Sequence, residues 1–194
     1  MRRILFLIFI LSFYSLDASA YPWPSKTSFA LTCWSPKQPY PLMPLNFFEF
    51  KDVLEDISLK PNYVLNLKKL SPKIYNAYVK RAQKAKLMLF PLPYADFDRY
   101  DSLIVPPIGC GVITMVQESA NGHNQILVQQ DTWNTLSKED QDFFLFDYHV
   151  QFFLKDDLAR SDYRKFSLYV ATGEIDNFSP EEKIEFLKFY GIKD

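Results

Sequence analysis

The chain has 194 residues, with 22 basic side chains against 23 acidic ones, a net charge of −1 and 17% aromatics. That length suits one domain rather than several. Near-neutral charge with no basic stripe argues against a nucleic-acid partner, because nothing is present to displace counterions from phosphates.

Residues 1–20 read as a secretory signal. Arg2 and Arg3 form the charged end, Ile4 to Phe13 an apolar run too short to span a bilayer with ease, and Ala18-Ser19-Ala20 the small residues of a cleavage site. Ser12, Ser15 and Asp17 close the apolar run early, which favours cleavage over a retained anchor. The mature chain, 21–194, is expected to be a single globular domain in the periplasm or extracellular space, with no stable membrane span. In such a compartment the default for two cysteines, Cys33 and Cys110, is a disulfide. A free nucleophilic thiol is the alternative, and no His or Asn pattern supports it.

Tyr21 to Ser25 is Pro-rich and irregular. Ser28 to Trp34 is rich in types that suit a pleated surface and predicts a strand. Pro36, Pro39, Pro41 and Pro44 then forbid regular structure. Trp34, Tyr40, Phe47, Phe48 and Phe50 interleave with these prolines. That makes a peptide or glycan surface conceivable, but a crossover covering the core is favoured. Weak alternation predicts a strand over 46–51, and residues 52–57 predict a short helical turn. Alternation over Asn62 to Lys68 predicts another strand. Ser71-Pro72 reads as an N-cap with Pro at the first helical position, opening a helix to about Lys84. Its Lys80, Arg81 and Lys84 read as a solvated basic face. Leu87 to Phe90 predicts a strand stopped by Pro91, and Tyr94 to Asp101 a loop.

Cys110 to Gln117 and Gln125 to Gln129 flank Asn121-Gly122, the strongest short hairpin signal. His123 sits at that turn and reads as a solvated loop residue. Asp131 is expected to cap a short turn carrying Trp133 and Leu136. Ser161 is expected to cap a helix ending near Gly173, and Ser179-Pro180-Glu181-Glu182 to open a last helix closed by Gly191. The fold class expected is α+β: a small antiparallel sheet, with a hairpin near 110–130, packed on a central buried helix and two or three C-terminal helices.

That central helix is Ser137 to Lys155. Ser137 can cap it, with Glu139 and Asp140 in the first turn. From Phe143 to Leu154 it is apolar nearly all round, so it should be buried on all sides. Asp147, His149 and Gln151 interrupt the apolar run and form the candidate polar cluster. Arg164 is the preferred positive partner for Asp147, with Arg160 second, because a lone buried carboxylate costs several kcal/mol. His149 reads as a hydrogen-bonded core histidine.

The run Pro107-Ile-Gly-Cys110, Val116-Gln117, Ile126-Leu-Val, Trp133-x-x-Leu136 and Leu145-Phe146-Asp147-Tyr148 resembles a group of exported bacterial proteins. In them a Cys-bearing hairpin leads through Trp-x-x-Leu to a helix with His-Glu-x-x-Tyr, suggestive of a zinc-peptidase helix. The resemblance covers roughly residues 100–172. The group's His falls on Asp147, its Glu on Tyr148 and its Tyr on Gln151. Zinc prefers imidazole or thiolate ligands at i and i+4 of one helical face, and Gln151 is a poor ligand. Tyr148 cannot replace Glu as a base near neutral pH. His149 lies nearly opposite Asp147 around the helix, with Leu145 and Phe153 at its own i−4 and i+4 positions.

The expectation is therefore an exported, non-catalytic structural or binding module with no metal, no cofactor and no catalytic residue. Its partner would be a protein, peptide or glycan. The alternative is a metal-dependent hydrolase with a divergent site on the 138–155 helix. Gly-x-Ser-x-Gly and a phosphate-cradling Gly loop are both absent.

Overall fold

The structure, a computed structural model, describes residues 26–33, 42–50, 58–92, 106, 108–119 and 124–193. The signal, Trp34, Tyr40, the 52–57 and 94–101 segments and the Asn121-Gly122-His123 turn lie outside the described residues, as does the Cys33 side chain.

Five strands and seven α-helices make an α+β fold among these residues. The strands are β1 (Thr27–Cys33), β2 (Met43–Pro44), β3 (Lys86–Phe90), β4 (Cys110–Glu118) and β5 (Gln125–Gln129), ordered β2-β1-β4-β5-β3. Strands β4 and β5 form the expected antiparallel hairpin, and β1 lies antiparallel to both β2 and β4. Edge strand β3 departs from the all-antiparallel expectation, because it runs parallel to β5. The β1–β4 register sets Cys33 opposite Cys110.

The helices are α1 (Leu45–Glu49), α2 (Val64–Leu70), α3 (Pro72–Lys84), α4 (Gln130–Trp133), α5 (Lys138–Val150), α6 (Arg160–Thr172) and α7 (Pro180–Phe189). Two of them replace predicted strands. Over 62–70, Tyr63, Asn66, Leu67 and Leu70 are buried, which is a helical period. The apparent alternation was incidental, and Asn62 turns the chain into the helix with φ 57. Over 46–51, Leu45, Asn46 and Glu49 share the buried side of α1 after Pro44.

Ser71 closes α2 and caps α3, its hydroxyl accepting from Ile74 N–H. Ser179 makes a full capping box with Glu182. Gly173 ends α6 in the left-handed region at φ 78, and a Cβ there would approach Lys60 Cγ at 3.2 Å. Two expected caps are absent. Ser161 lies inside α6 behind Ala159, and Asp131 lies inside α4 behind Gln129. Neither helix has a side-chain cap.

Helix α5 is the centre. Ser137 caps it, accepting from Asp140 N–H at 3.1 Å. Its Phe143, Phe146 and Val150 join the main helical core with Tyr63, Leu67, Phe166 and Val170. Phe144 and Tyr148 instead pack on Ile113, Met115 and Val128 of the sheet. Burying one such Phe contributes about 2–3 kcal/mol. Apolar character all round is thus what a helix wedged between a sheet and other helices requires. Phe47, Phe48 and Phe50 pack into the core, in line with the crossover reading of that segment.

Candidate functional site

The helix expected to run to Lys155 ends at Val150, and Gln151 opens the 3-10 turn that follows it over Gln151–Phe153; the polar groups of this stretch divide into two places. Asp147 and Gln151, one turn apart, face the start of β1. Gln151 meets Thr27 as a neighbouring strand would: its Nε2 donates to the Thr27 carbonyl and its Oε1 accepts from the Thr27 N–H, both at 3.2 Å. Asp147 is 1% exposed. Ser28 Oγ stands 2.6 Å from its Oδ2, and Asn46 Nδ2 donates to its Oδ1 at 3.0 Å. Burial pushes its carboxyl pKa up, against hydrogen bonds from Ser167, Ser28 and Asn46 and the charge of Arg164.

The raised pKa of Asp147 favours its protonated form, which the geometry around Ser28 accommodates. Ser28 has one hydroxyl hydrogen and two acceptors within reach: Asp147 Oδ2, and the Phe144 carbonyl at 3.1 Å. The bonding closes without conflict when Asp147 is protonated. It then donates to Ser28 Oγ, and Ser28 donates on to Phe144.

Arg164 is in this region but does not take the partner expected. Its guanidinium forks onto Glu49 of α1, Nε to Oε2 at 2.5 Å and Nη2 to Oε1 at 3.0 Å, with both side chains almost fully buried. Asn46 links the two groups by donating also to the Arg164 carbonyl at 3.2 Å. The bidentate geometry goes to Glu49, and the Arg164 charge acts on Asp147 only from nearby. Arg160, the second candidate, opens α6 half-buried. Sequence reasoning missed Glu49 because it lies on a short helix misread as a strand.

His149 faces the other way. It is 3% exposed, and its Nδ1 is buried without a hydrogen-bond partner, so the expected hydrogen-bonded core histidine is not what forms. Its ring lies edge-on to Tyr78 and Tyr148, with centroids 6.0 and 5.2 Å away. Burial, then the charge of Arg81, brings its pKa down to about 4, so it is neutral near pH 7.

His149 lines a cleft of about 790 Å³ between α5, the α2–α3 pair and the start of β3. From α5 come Lys138, Asp142, Leu145 and His149, the i, i+4, i+7, i+11 stripe of one face. Tyr63, Tyr75 and Tyr78 give aromatic walls. Burial raises the Tyr63 and Tyr78 phenols well above their usual range, and the nearby Asp142 carboxylate adds to this. At the mouth, Lys138 pairs with Asp142 one turn on. Arg81 is not the solvated residue predicted. Its guanidinium lies 3.4 Å over the Phe152 ring and 3.7 Å from Glu118.

Such a cleft can bind: its walls are mostly apolar and aromatic, and it offers few polar groups. Among the described residues no three His, Cys, Asp or Glu side chains converge to hold a metal ion, and no helix is long and apolar enough to cross a membrane. No family model, curated protein or solved structure matches the chain.

Proposed function

We propose that the chain is an exported, non-catalytic binding module, and that the cleft between α5 and the α2–α3 pair is its ligand site. One observation carries this reading: His149 Nδ1 is a buried, unpaired hydrogen-bonding atom on a residue that lines the cleft. A buried polar group without a partner costs about 1–3 kcal/mol, and a ligand or water would recover that cost. Asp147, at the position of the His of the zinc-peptidase-like His-Glu pair in the exported group the chain resembles, has its oxygens occupied by Ser28 and Asn46. That favours a structural role for it over hydrolysis. Export is supported by the signal-like residues 1–20. It is consistent with a disulfide between Cys33 and Cys110, register partners on neighbouring strands. Such a long-loop bridge would contribute about 4 kcal/mol, and intact mass with and without reductant checks it.

The test is a small-fragment screen by ligand-observed NMR on the mature chain and on Leu145→Trp, which fills the cleft. Fragments should bind the wild type and fail to bind the filled variant, with circular dichroism unchanged. Equal binding to both proteins sinks the assignment of the cleft. Stoichiometric zinc, together with hydrolysis that disappears in a folded Asp147→Asn variant, would install the metal-dependent hydrolase instead.

A further inference from the structure

Among the described residues the sheet ends on β2 at one side and on β3 at the other. Strand β2 is two residues long and offers little to a further strand. Strand β3 offers more. Lys86 N–H donates to the Asn124 carbonyl, so in the parallel ladder Lys86, Met88 and Phe90 turn their backbone groups toward β5. The N–H and C=O groups of Leu87 and Leu89 therefore point outward, and no described residue pairs with them.

The side chains of β3 are exposed on both faces of the sheet. Leu87 and Leu89 stand on one face, Met88 and Phe90 on the other, and all four are 45–50% exposed. Folded proteins usually blunt such an edge with a charge, a bulge or a proline inside the strand. Here Lys86 stands at its start and Pro91 just past its end, and the apolar run between them is unbroken. Leu87 also lines the cleft, so one face of the strand continues into it.

The charge beside this strand has one sign. Residues 58–92, which include α2, α3 and β3, contain no acidic residue. Lys84 ends α3 and Lys86 opens β3, both exposed, and neither pairs with a carboxylate among the described residues. Glu139 and Asp142 belong to the α5 wall of the cleft, where Lys138 pairs with Asp142. Lipid would cover the apolar side chains but leave the outward N–H and C=O groups without partners. A second copy of β3 would pair those groups but bring no carboxylate to the lysines. An extended peptide with acidic residues supplies both.

Resting on the reading of the chain as a binding module, we infer that β3 is the docking strand for an extended acidic peptide. The peptide lies beside β3 as a sixth strand and pairs with the outward groups of Leu87 and Leu89. Its apolar side chains cover the exposed ones, and its carboxylates meet Lys84 and Lys86.

The probe is acetyl-Glu-Glu-Val-Thr-Val-Thr-Val-amide, titrated calorimetrically into the mature chain. Two analogues accompany it, one headed by Lys-Lys and one N-methylated at every core residue. The acidic probe should bind roughly tenfold or more tightly than the lysine analogue, the size of one charge-assisted hydrogen bond. The methylated analogue should not bind. Exchange of the Leu87 and Leu89 amides should slow when the probe is bound. Leu89→Pro removes an outward N–H and leaves the β5 ladder intact. It should weaken the probe by roughly tenfold or more with circular dichroism unchanged, and should the variant misfold, the methylated analogue and amide exchange carry the test on the wild type. Lys84→Glu combined with Lys86→Glu should reverse the preference between the two heads. Equal binding by the methylated analogue, or protection away from β3, overturns strand addition. Binding to phosphatidylglycerol vesicles in place of the probe puts a lipid surface there instead, and a dimer that Leu89→Pro dissolves puts a second copy there. Failure of the acidic probe while fragments still bind the cleft overturns the docking strand alone. Failure of probe and fragments together overturns both readings.

Discussion

Asp147 and His149 are two residues apart on the same helix and both almost fully buried, yet they differ in every other respect. Asp147 lies in a closed network in which Ser28, Asn46 and Gln151 meet its oxygens and Arg164 is held nearby by Glu49. His149, on the opposite face, has an unmatched nitrogen and a cleft beside it. Burial shifts both groups toward their neutral forms, upward for the acid and downward for the base. The lesson is that a polar residue in an apolar helix says little until its hydrogen bonds are counted. A complete count belongs to architecture, and a deficit points to something that binds.

The largest expected effect breaks the architectural side. Glu49→Ala removes the carboxylate that the buried Arg164 guanidinium forks onto and should cost about 3–5 kcal/mol in urea denaturation. Replacing both with Met should recover most of that loss. If the single variant loses under 1 kcal/mol, roughly the value of an exposed pair, the ion pair is not what holds α1 to α6.

Next in size is an acid-side effect. His149 titrates near 6.5 when unfolded and at about 4 when folded, so below pH 6.5 the unfolded chain takes up a proton that the folded chain refuses. Stability should therefore fall as pH drops from about 6.5 to about 4, by up to about 3 kcal/mol. His149→Phe should flatten that part of the profile. Asp147 works in the opposite sense: its raised pKa adds stability at low pH that is lost as pH rises. Subtracting the variant's profile from the wild type's isolates the histidine, and an unchanged slope would refute its burial as neutral imidazole.

The smallest effect is the sharpest. If Asp147 is protonated, Asp147→Asn preserves the network: the amide donates to Ser28 and its oxygen accepts from Asn46. The variant should stay within about 1 kcal/mol of wild type, a single neutral hydrogen bond, whereas Asp147→Leu should lose about 2–4 kcal/mol through orphaned partners. A large loss in Asp147→Asn would mean that the carboxyl is ionised.

Local chemistry was legible in the sequence. The caps at Ser71, Ser137 and Ser179, the stop at Gly173, the hairpin and the buried central helix each depend on residues within a few positions. What failed were assignments in which two periods competed, as over 62–68, and pairings set by distant chain. Glu49 and Arg164 are 115 residues apart, and nothing local distinguishes Glu49 from Asp147 as the acceptor of that guanidinium. Arg81 looked solvated because Phe152 and Glu118, which flank its guanidinium, lie on other elements.

The side-chain clasp between Gln151 and Thr27 joins groups 124 residues apart. Strand β1 also draws its long partner, β4, from residues 110–118. A chain emerging N-terminus first therefore has only the two-residue β2 to pair with β1 until residues 110–118 appear. The final clasp cannot close until Gln151 has appeared. Such distant pairing slows folding.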